Sequence, residues 1–293
     1  MNFSKENTVI GFVGTGVMGK SMAGHLLKAG YKVMVYNRTK AKAQDLLEQG
    51  ASWADQVAEL AAGCNVVITM VGYPKDVEEV YLADSGLIAN AKPGTCFIDM
   101  TTSSPKLAEK IYLAAKDNKM YSLDAPVSGG DVGAKEARLA IMVGGDSEVF
   151  EAVLPIFKLM GQNIILQGPA GAGQHTKMCN QIAIAAGMMG VCEAIAYAKK
   201  SGLNPDIVLK SIETGAAGSW SLSNLAPRML AGNFAPGFYV KHFIKDMKIA
   251  IESAQEMNLK TPALDLALKL YQELAAQGEE NSGTQALFKY YDR

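Results

Sequence analysis

Cysteine pairs, histidine clusters and charge of one sign are all scarce in this chain. Its four cysteines, Cys64, Cys96, Cys179 and Cys192, form no CxxC spacing, and each sits in an apolar stretch. That pattern favours buried free thiols of a reducing compartment over a disulfide framework. The three histidines, His25, His175 and His242, stand far apart, which leaves a histidine-built metal site without support. A formal net charge of −1, with no block of five cations, gives no expectation of nucleic acid or a membrane surface as partner. The opening residues, Met1 to Thr8, are polar and carry no signal core. The longest apolar run, Ile182 to Cys192, falls below the roughly 18 residues needed for a bilayer span. It is rich in Ala, Gly and Met, as suits a helix packed closely on all sides. The expected location is the cytoplasm.

What is present is apolar residue in quantity. Of 293 residues 49% are hydrophobic, enough for one large or two medium domains with a sizeable core. Up to about residue 168, short β-rich runs alternate with helical stretches. The expected strands are Val9–Val13, Lys32–Tyr36, Asn65–Met70, Thr95–Asp99, Tyr121–Ala125, Ala140–Val143 and Asn163–Leu166. Helical stretches between them include Gly19–Ala29, Thr39–Gln49, Lys106–Lys116 and Ser147–Met160. This alternation predicts βαβ units in a largely parallel sheet with helices on both faces. After Gly168-Pro169-Ala170-Gly171-Ala172-Gly173 the pattern turns helical, beginning with one long helix from about Gln174 to Lys200. Further helices are expected at about 205–213, 222–230, 240–257, 262–276 and 284–291. The fold class is therefore α/β, an N-terminal doubly wound Rossmann sheet over 1–168 joined by a long helix to an all-helical domain over 169–293.

Gly14-Thr15-Gly16-Val17-Met18-Gly19 matches GxGxxG, following an apolar strand and opening a helix. In that context Gly14 makes the tight turn, Gly16 admits a pyrophosphate to the backbone and Gly19 allows close helix–strand packing. The helix N-terminus offers free N–H groups to the phosphates. An NAD-specific site places an acid at the tip of the second strand. Here the tip reads Asn37-Arg38-Thr39. Arg38 can pair with a 2′-phosphate and Thr39 can donate to it, which favours NADP(H) and leaves NAD(H) possible. Solvation of Arg38 and helix capping by Thr39 are the plain alternatives.

Four separated motifs, in order, resemble the β-hydroxyacid dehydrogenases, the family of 3-hydroxyisobutyrate dehydrogenase and tartronate semialdehyde reductase. They are Gly11 to Gly19, Asp124-Ala125-Pro126-Val127-Ser128-Gly129-Gly130, Gly171 to Asn180, and Ile244-Lys245-Asp246. The resemblance covers essentially the whole chain. It implies hydride transfer between a nicotinamide cofactor and a small anionic carbonyl or hydroxyacid. It further implies that Ser128, Gly129 and Gly130 hold the substrate, with Asn180, Gln181 and Lys245 beside it. Thr102, Met70, Val71 and Lys245 are implied at the cofactor. Most relatives carry Asn where this chain has Gln181, a change that bears on substrate choice.

Chemistry points to Lys177 independently as the general acid/base. An alkoxide forming under hydride attack needs a proton donor, and a lysine near a helix N-terminus has its ammonium disfavoured. Asp246 beside Lys245 reads either as an orienting partner or as an ordinary exposed pair. Ser219-Trp220 and Phe238 read as pocket walls or as plain packing. Imine reduction on the same architecture would not require a lysine acid. A non-catalytic dinucleotide-binding sensor would have no need of Ser128, Lys177 and Asn180 together. A 6-phosphogluconate dehydrogenase needs a longer helical domain than the ~120 residues available. The apolar run 182–192 asks for more cover than one helical domain supplies, and relatives form oligomers, so a homodimer or homotetramer is expected.

Overall fold

The computed structural model describes residues 3–292. Two compact units emerge, one ending at Lys177 and the other beginning at Met178.

The first unit carries all nine strands found among the described residues: β1 Val9–Val13, β2 Lys32–Tyr36, β3 Ser52–Trp53, β4 Val66–Thr69, β5 Cys96–Asp99, β6 Tyr121–Asp124, β7 Val127–Ser128, β8 Leu139–Gly144 and β9 Gly161–Gly168. Its helices are α1 Val17–Lys28, α2 Gln44–Glu48, α3 Val57–Gly63, α4 Pro74–Leu82, α5 Leu87–Asn90, α6 Pro105–Asp117, α7 Gly130–Lys135 and α8 Ser147–Phe157. Strand order is β3-β2-β1-β4-β5-β6-β8-β7, with β9 beside β8. The run from β3 to β6 is wholly parallel and doubly wound, with apolar clusters on both faces. Beyond β6 the sheet is mixed, since β8 runs antiparallel to β6 and β7 and parallel to β9. Only Ala125 and Pro126 separate β6 from β7, so these two strands continue in one direction and flank β8 on its two sides, each antiparallel to it.

Two departures from the sequence expectation lie in the first unit. The stretch 39–49 is a 3₁₀ turn, Lys40–Ala43, followed by the short α2. Ser52–Trp53 and Val127–Ser128 pair as strands although two residues carry no readable period.

The second unit is helical: most of α9 Ala172–Lys200, then α10 Pro205–Ile212, α11 Trp220–Asn224, α12 Ala226–Leu230, α13 Val240–Glu256, α14 Pro262–Leu274 and α15 Phe288–Tyr291. The expected helix over 222–230 divides at Leu225, with Pro227 in the first turn of α12, where its missing N–H does no harm. By length and composition α9 could cross a membrane, with mean hydropathy 1.4 in its most apolar window and 44% of that window buried. Met178, Ala185, Met188, Cys192 and Ile195 place one face of α9 in the helical core.

That helix is not enclosed on all sides, however. Cys179, Ala183, Gly187, Gly190, Glu193 and Tyr197 recur at helical spacing and are exposed. Cys179 is accordingly an exposed thiol, against the expectation of four buried ones, while Cys64, Cys96 and Cys192 are buried and free. An apolar neighbourhood in sequence does not decide which side of a helix a residue occupies.

Asp99 ends β5 inside the first unit. Its Oδ1 accepts from the Thr69 hydroxyl at 2.7 Å and the Thr101 N–H at 3.1 Å. Burial outweighs these bonds and pushes the carboxyl up to about 6. The folded protein thus keeps a proton that the unfolded chain releases near pH 4. Its stabilising effect is complete below the unfolded value and is lost as pH rises towards 6. Asp99→Asn should flatten this dependence by about 2–3 kcal/mol between pH 4 and 7, read by urea unfolding of both proteins across that range.

Candidate active site

The dinucleotide loop is built between β1, β2 and β4. Gly14 N–H donates to the Tyr36 carbonyl at 2.9 Å, and Thr15 N–H to Asn37 Oδ1 at 3.2 Å. Asn37 Nδ2 in turn donates to the Thr39 carbonyl at 2.9 Å, so Asn37 ties the strand tip to the loop. Gly14 has φ of +98°, and a Cβ there would overlap the Met70 carbonyl. A Cβ on Gly19 would strike the Gly14 carbonyl. Gly19 therefore packs the helix against the loop itself.

Gly16 differs, because a Cβ there would meet no protein atom within 4 Å. Protein packing does not demand this glycine. Gly16 is also the N-cap of α1, with no side-chain cap and no acid in the first turn. The first N–H groups of the helix thus face a space that suits a phosphate. Thr15 Oγ1 is buried without a partner in this loop, and Val17 stands 61% exposed beside it. Open backbone, an unmatched hydroxyl and an exposed apolar side chain together fit a dinucleotide. Met18 packs on the sheet core, while Val71 N–H donates to the Thr101 hydroxyl at 3.0 Å.

At the tip of β2 the Arg38 side chain is 78% exposed, with Nη1 3.4 Å from Asp76 Oδ1. Thr39 precedes the 3₁₀ turn but makes no side-chain capping bond. Asp76 is a buried carboxylate whose Oδ2 accepts the Tyr73 N–H at 3.1 Å. Sequence reasoning missed it. The run Tyr73-Pro74-Lys75-Asp76 announces a helix start, but nothing local announces proximity to Arg38.

The carboxyl ends of β5 and β6 receive the first turn of α9. Asp124 accepts Gly171 N–H and Gln174 N–H, one on each oxygen, both at 2.8 Å. Burial raises its carboxyl above the ordinary range, against the lowering pull of those two bonds. Gln174, fully buried, donates to the Thr101 carbonyl at 2.8 Å and accepts Ser103 N–H at 2.9 Å. Thr102 lies half-buried between the two residues so fastened. Lys177 follows on α9, only 6% exposed and not a surface lysine. Ser128 is half-buried at the end of β7, Gly129 caps α7 at φ +131°, and Gly130 opens that helix. Gln174 and Asp124 were legible as motif letters, not as the fastening they form.

In the second unit four polar side chains form one row, three of them hydrogen-bonded and the fourth joined by an ion pair. Asn180 Nδ2 donates to Gln181 Oε1 at 2.7 Å, and Gln181 Nε2 donates to Asp246 Oδ2 at 2.6 Å. Lys245 Nζ lies 3.0 Å from Asp246 Oδ1, with side-chain exposures of only 11% and 3%. The pair is thus buried, which removes the reading of an ordinary exposed one. Trp220 is 68% exposed and walls nothing within the unit, while Phe238 packs on Phe243 with ring centroids 5.5 Å apart.

Comparison with known proteins identifies the family. The profile of the NAD-binding domain of 6-phosphogluconate dehydrogenase matches residues 9–168. That of the NAD-binding domain of NADP-dependent 3-hydroxyisobutyrate dehydrogenase matches 171–291. The oxidoreductase YkwC of Bacillus subtilis is 67% identical, over 96% of this chain and 98% of its own. A probable 3-hydroxyisobutyrate dehydrogenase-like protein of Arabidopsis thaliana is 49% identical, over 98% of this chain and 86% of its own. Among solved structures, the 3-hydroxyisobutyrate dehydrogenase of Mycobacterium tuberculosis with L-serine superposes with a TM-score of 0.91 at 30% identity, covering 98% of this chain and 99% of that one. The chain belongs to the β-hydroxyacid dehydrogenase family and is an oxidoreductase with an NAD(P)-binding Rossmann domain.

Proposed function

We propose that the protein interconverts a small β-hydroxyacid and its semialdehyde or keto form, with NADP(H) preferred and Lys177 as general acid/base. The observation that carries this reading is the burial of Lys177, at the sixth residue of a helix whose first turn is held by Asp124.

The Gly14–Gly19 loop would hold the nicotinamide cofactor, which would supply the hydride in reduction and accept it in oxidation. In reduction the Lys177 ammonium gives its proton to the carbonyl oxygen as that oxygen becomes an alkoxide, and the neutral amine regains one from solvent. In oxidation Lys177 Nζ takes the hydroxyl proton. Ser128 and the adjoining glycines hold the substrate's polar end, and Asn180 and Lys245 add further contacts. A buried lysine also favours carbonyl over imine reduction, since imine reduction needs no such acid. The screen that tests the reading follows NADPH oxidation with glyoxylate, succinic semialdehyde, tartronate semialdehyde and methylmalonate semialdehyde. Turnover of none of them overturns it.

Lys177→Ala should lower kcat by roughly 10²-fold or more while NADPH binding changes little. Lys177→Arg should fail too, because a guanidinium does not cycle its proton. Stopped-flow single turnover separates hydride transfer from product release, and transfer within threefold of wild type in Lys177→Ala removes the lysine from the mechanism. The alkaline limb of kcat/KM for reduction should vanish in that variant.

Arg38 stands largely in solvent, where it can exchange Asp76 for a 2′-phosphate. Wild type should therefore favour NADPH over NADH in kcat/KM, and Arg38→Ala should lose at least about tenfold of that ratio. Equal kcat/KM for the two cofactors in wild type contradicts the preference.

The exposed apolar face of α9, Cys179, Ala183, Gly187 and Gly190, supports association of copies as a dimer or tetramer. Light scattering at micromolar concentration should give a multiple of the chain mass, and a monomer would contradict it.

A further inference from the structure

We infer that Gln181 is a positioning residue that sets the hydrogen-bonding sense of Asn180, and thereby selects hydroxyacids carrying a second hydrogen-bond donor. This rests on the dehydrogenase reading above and deepens it.

The argument begins at Asp246. Its Oδ1 faces the Lys245 ammonium at 3.0 Å and its Oδ2 faces the Gln181 amide at 2.6 Å. A carboxylate only accepts hydrogen bonds, so the end of Gln181 turned towards it must be the NH₂. The other end of Gln181, its carbonyl oxygen, is then committed to Asn180 at 2.7 Å. A carbonyl oxygen also only accepts, so Asn180 must present its own NH₂ to it. The carbonyl Oδ1 of Asn180 is left turned away from the row. Among the described residues Asn180 makes no other side-chain hydrogen bond.

Each amide taken singly has two orientations that differ little in shape. The row removes the choice. A charge on Lys245 fixes Asp246, Asp246 fixes Gln181, and Gln181 fixes Asn180. Gln181 is fully buried and Asp246 nearly so, hence bulk water offers no compensating bond and reversal would set acceptor against acceptor. Gln181 has both amide ends spent inside the protein. It reaches the substrate only through Asn180, which is half-buried.

An acceptor held in this sense rewards a ligand hydroxyl or ammonium and gives nothing to a methyl group. Four 3-hydroxyacids with a common skeleton read this out: 3-hydroxypropionate, 3-hydroxyisobutyrate, glycerate and L-serine carry hydrogen, methyl, hydroxyl and ammonium at the second carbon. Steady-state oxidation of each, with NADP⁺ and NAD⁺, should show kcat/KM for glycerate or L-serine exceeding that for 3-hydroxyisobutyrate by about tenfold. Gln181→Met keeps the length and removes both bonds, and should cut that ratio about tenfold, mainly through KM. Gln181→Glu keeps an acceptor towards Asn180 and can carry a proton towards Asp246, so it should hold the ratio within about threefold. A merely structural glutamine would make the second carboxyl the worse substitution. Asn180→Ala removes the acceptor itself and should reproduce the loss, which keeps the test open if Gln181→Met does not fold. Wild-type oxidation of none of the four acids overturns the dehydrogenase reading and the inference with it. Oxidation with a ratio that Gln181→Met and Asn180→Ala leave unchanged, or that Gln181→Glu loses equally, overturns the inference alone.

Discussion

Two N–H groups at the start of α9, those of Gly171 and Gln174, end on the carboxylate of Asp124. A helix begins with N–H groups that nothing within the helix satisfies, and an anion there meets both that need and the positive end of the helix dipole. The arrangement costs the carboxylate its hydration, and burial accordingly raises its pKa. In return the first turn of α9 is held within the first unit. Close packing reinforces the bond, since a Cβ on Gly173 would overlap the Met142 carbonyl. Gln174, oriented by the same turn, fastens the backbone of Thr101 and Ser103. The loop that carries Thr102 and the helix that carries Lys177 therefore share one anchor.

The polar groups of the two units follow different rules. In the first, the dinucleotide loop leaves backbone open: an uncapped helix start at Gly16 and an unmatched Thr15 hydroxyl. Such groups are costly in an empty protein and useful only to a ligand that completes them. In the second, Gln181 spends both ends of its amide within the row, one on Asn180 and one on Asp246. Rigid orientation is the gain there, because a buried amide with both ends committed cannot turn. A loop that waits for phosphate and a row that holds an amide still are complementary ways to prepare a polar site.

Much of the fold was legible because long elements announce themselves. Strands β1 and β2 matched the pattern to the residue, and α9 and α13 differed from it only at their ends. Ser52–Trp53 and Val127–Ser128 were not legible, since pairing across a sheet, not local period, makes a two-residue strand. The antiparallel turn of β8 escaped for the same reason. Among the polar residues, Lys245 and Asp246 could be read as neighbours but not as buried ones. Asp76 could be read as a helix-start residue but not as the partner of Arg38, because 38 positions of chain separate them.

By itself the sequence determined the kinds of element, their order and the residue types available to chemistry. Spacing suffices for these, because a GxGxxG turn, a 3.6-residue period and a run of β-branched residues act over a few neighbours. Tertiary structure alone decided which side of α9 is covered, leaving Cys179 outside and Lys177 inside. It alone joined Asp124 to the start of α9 and Gln181 to Asp246, across 47 and 65 positions of chain. The physical reason is range. A carboxylate's charge and a hydrogen bond act only over ångströms of space, and the folded chain decides which residues stand that close.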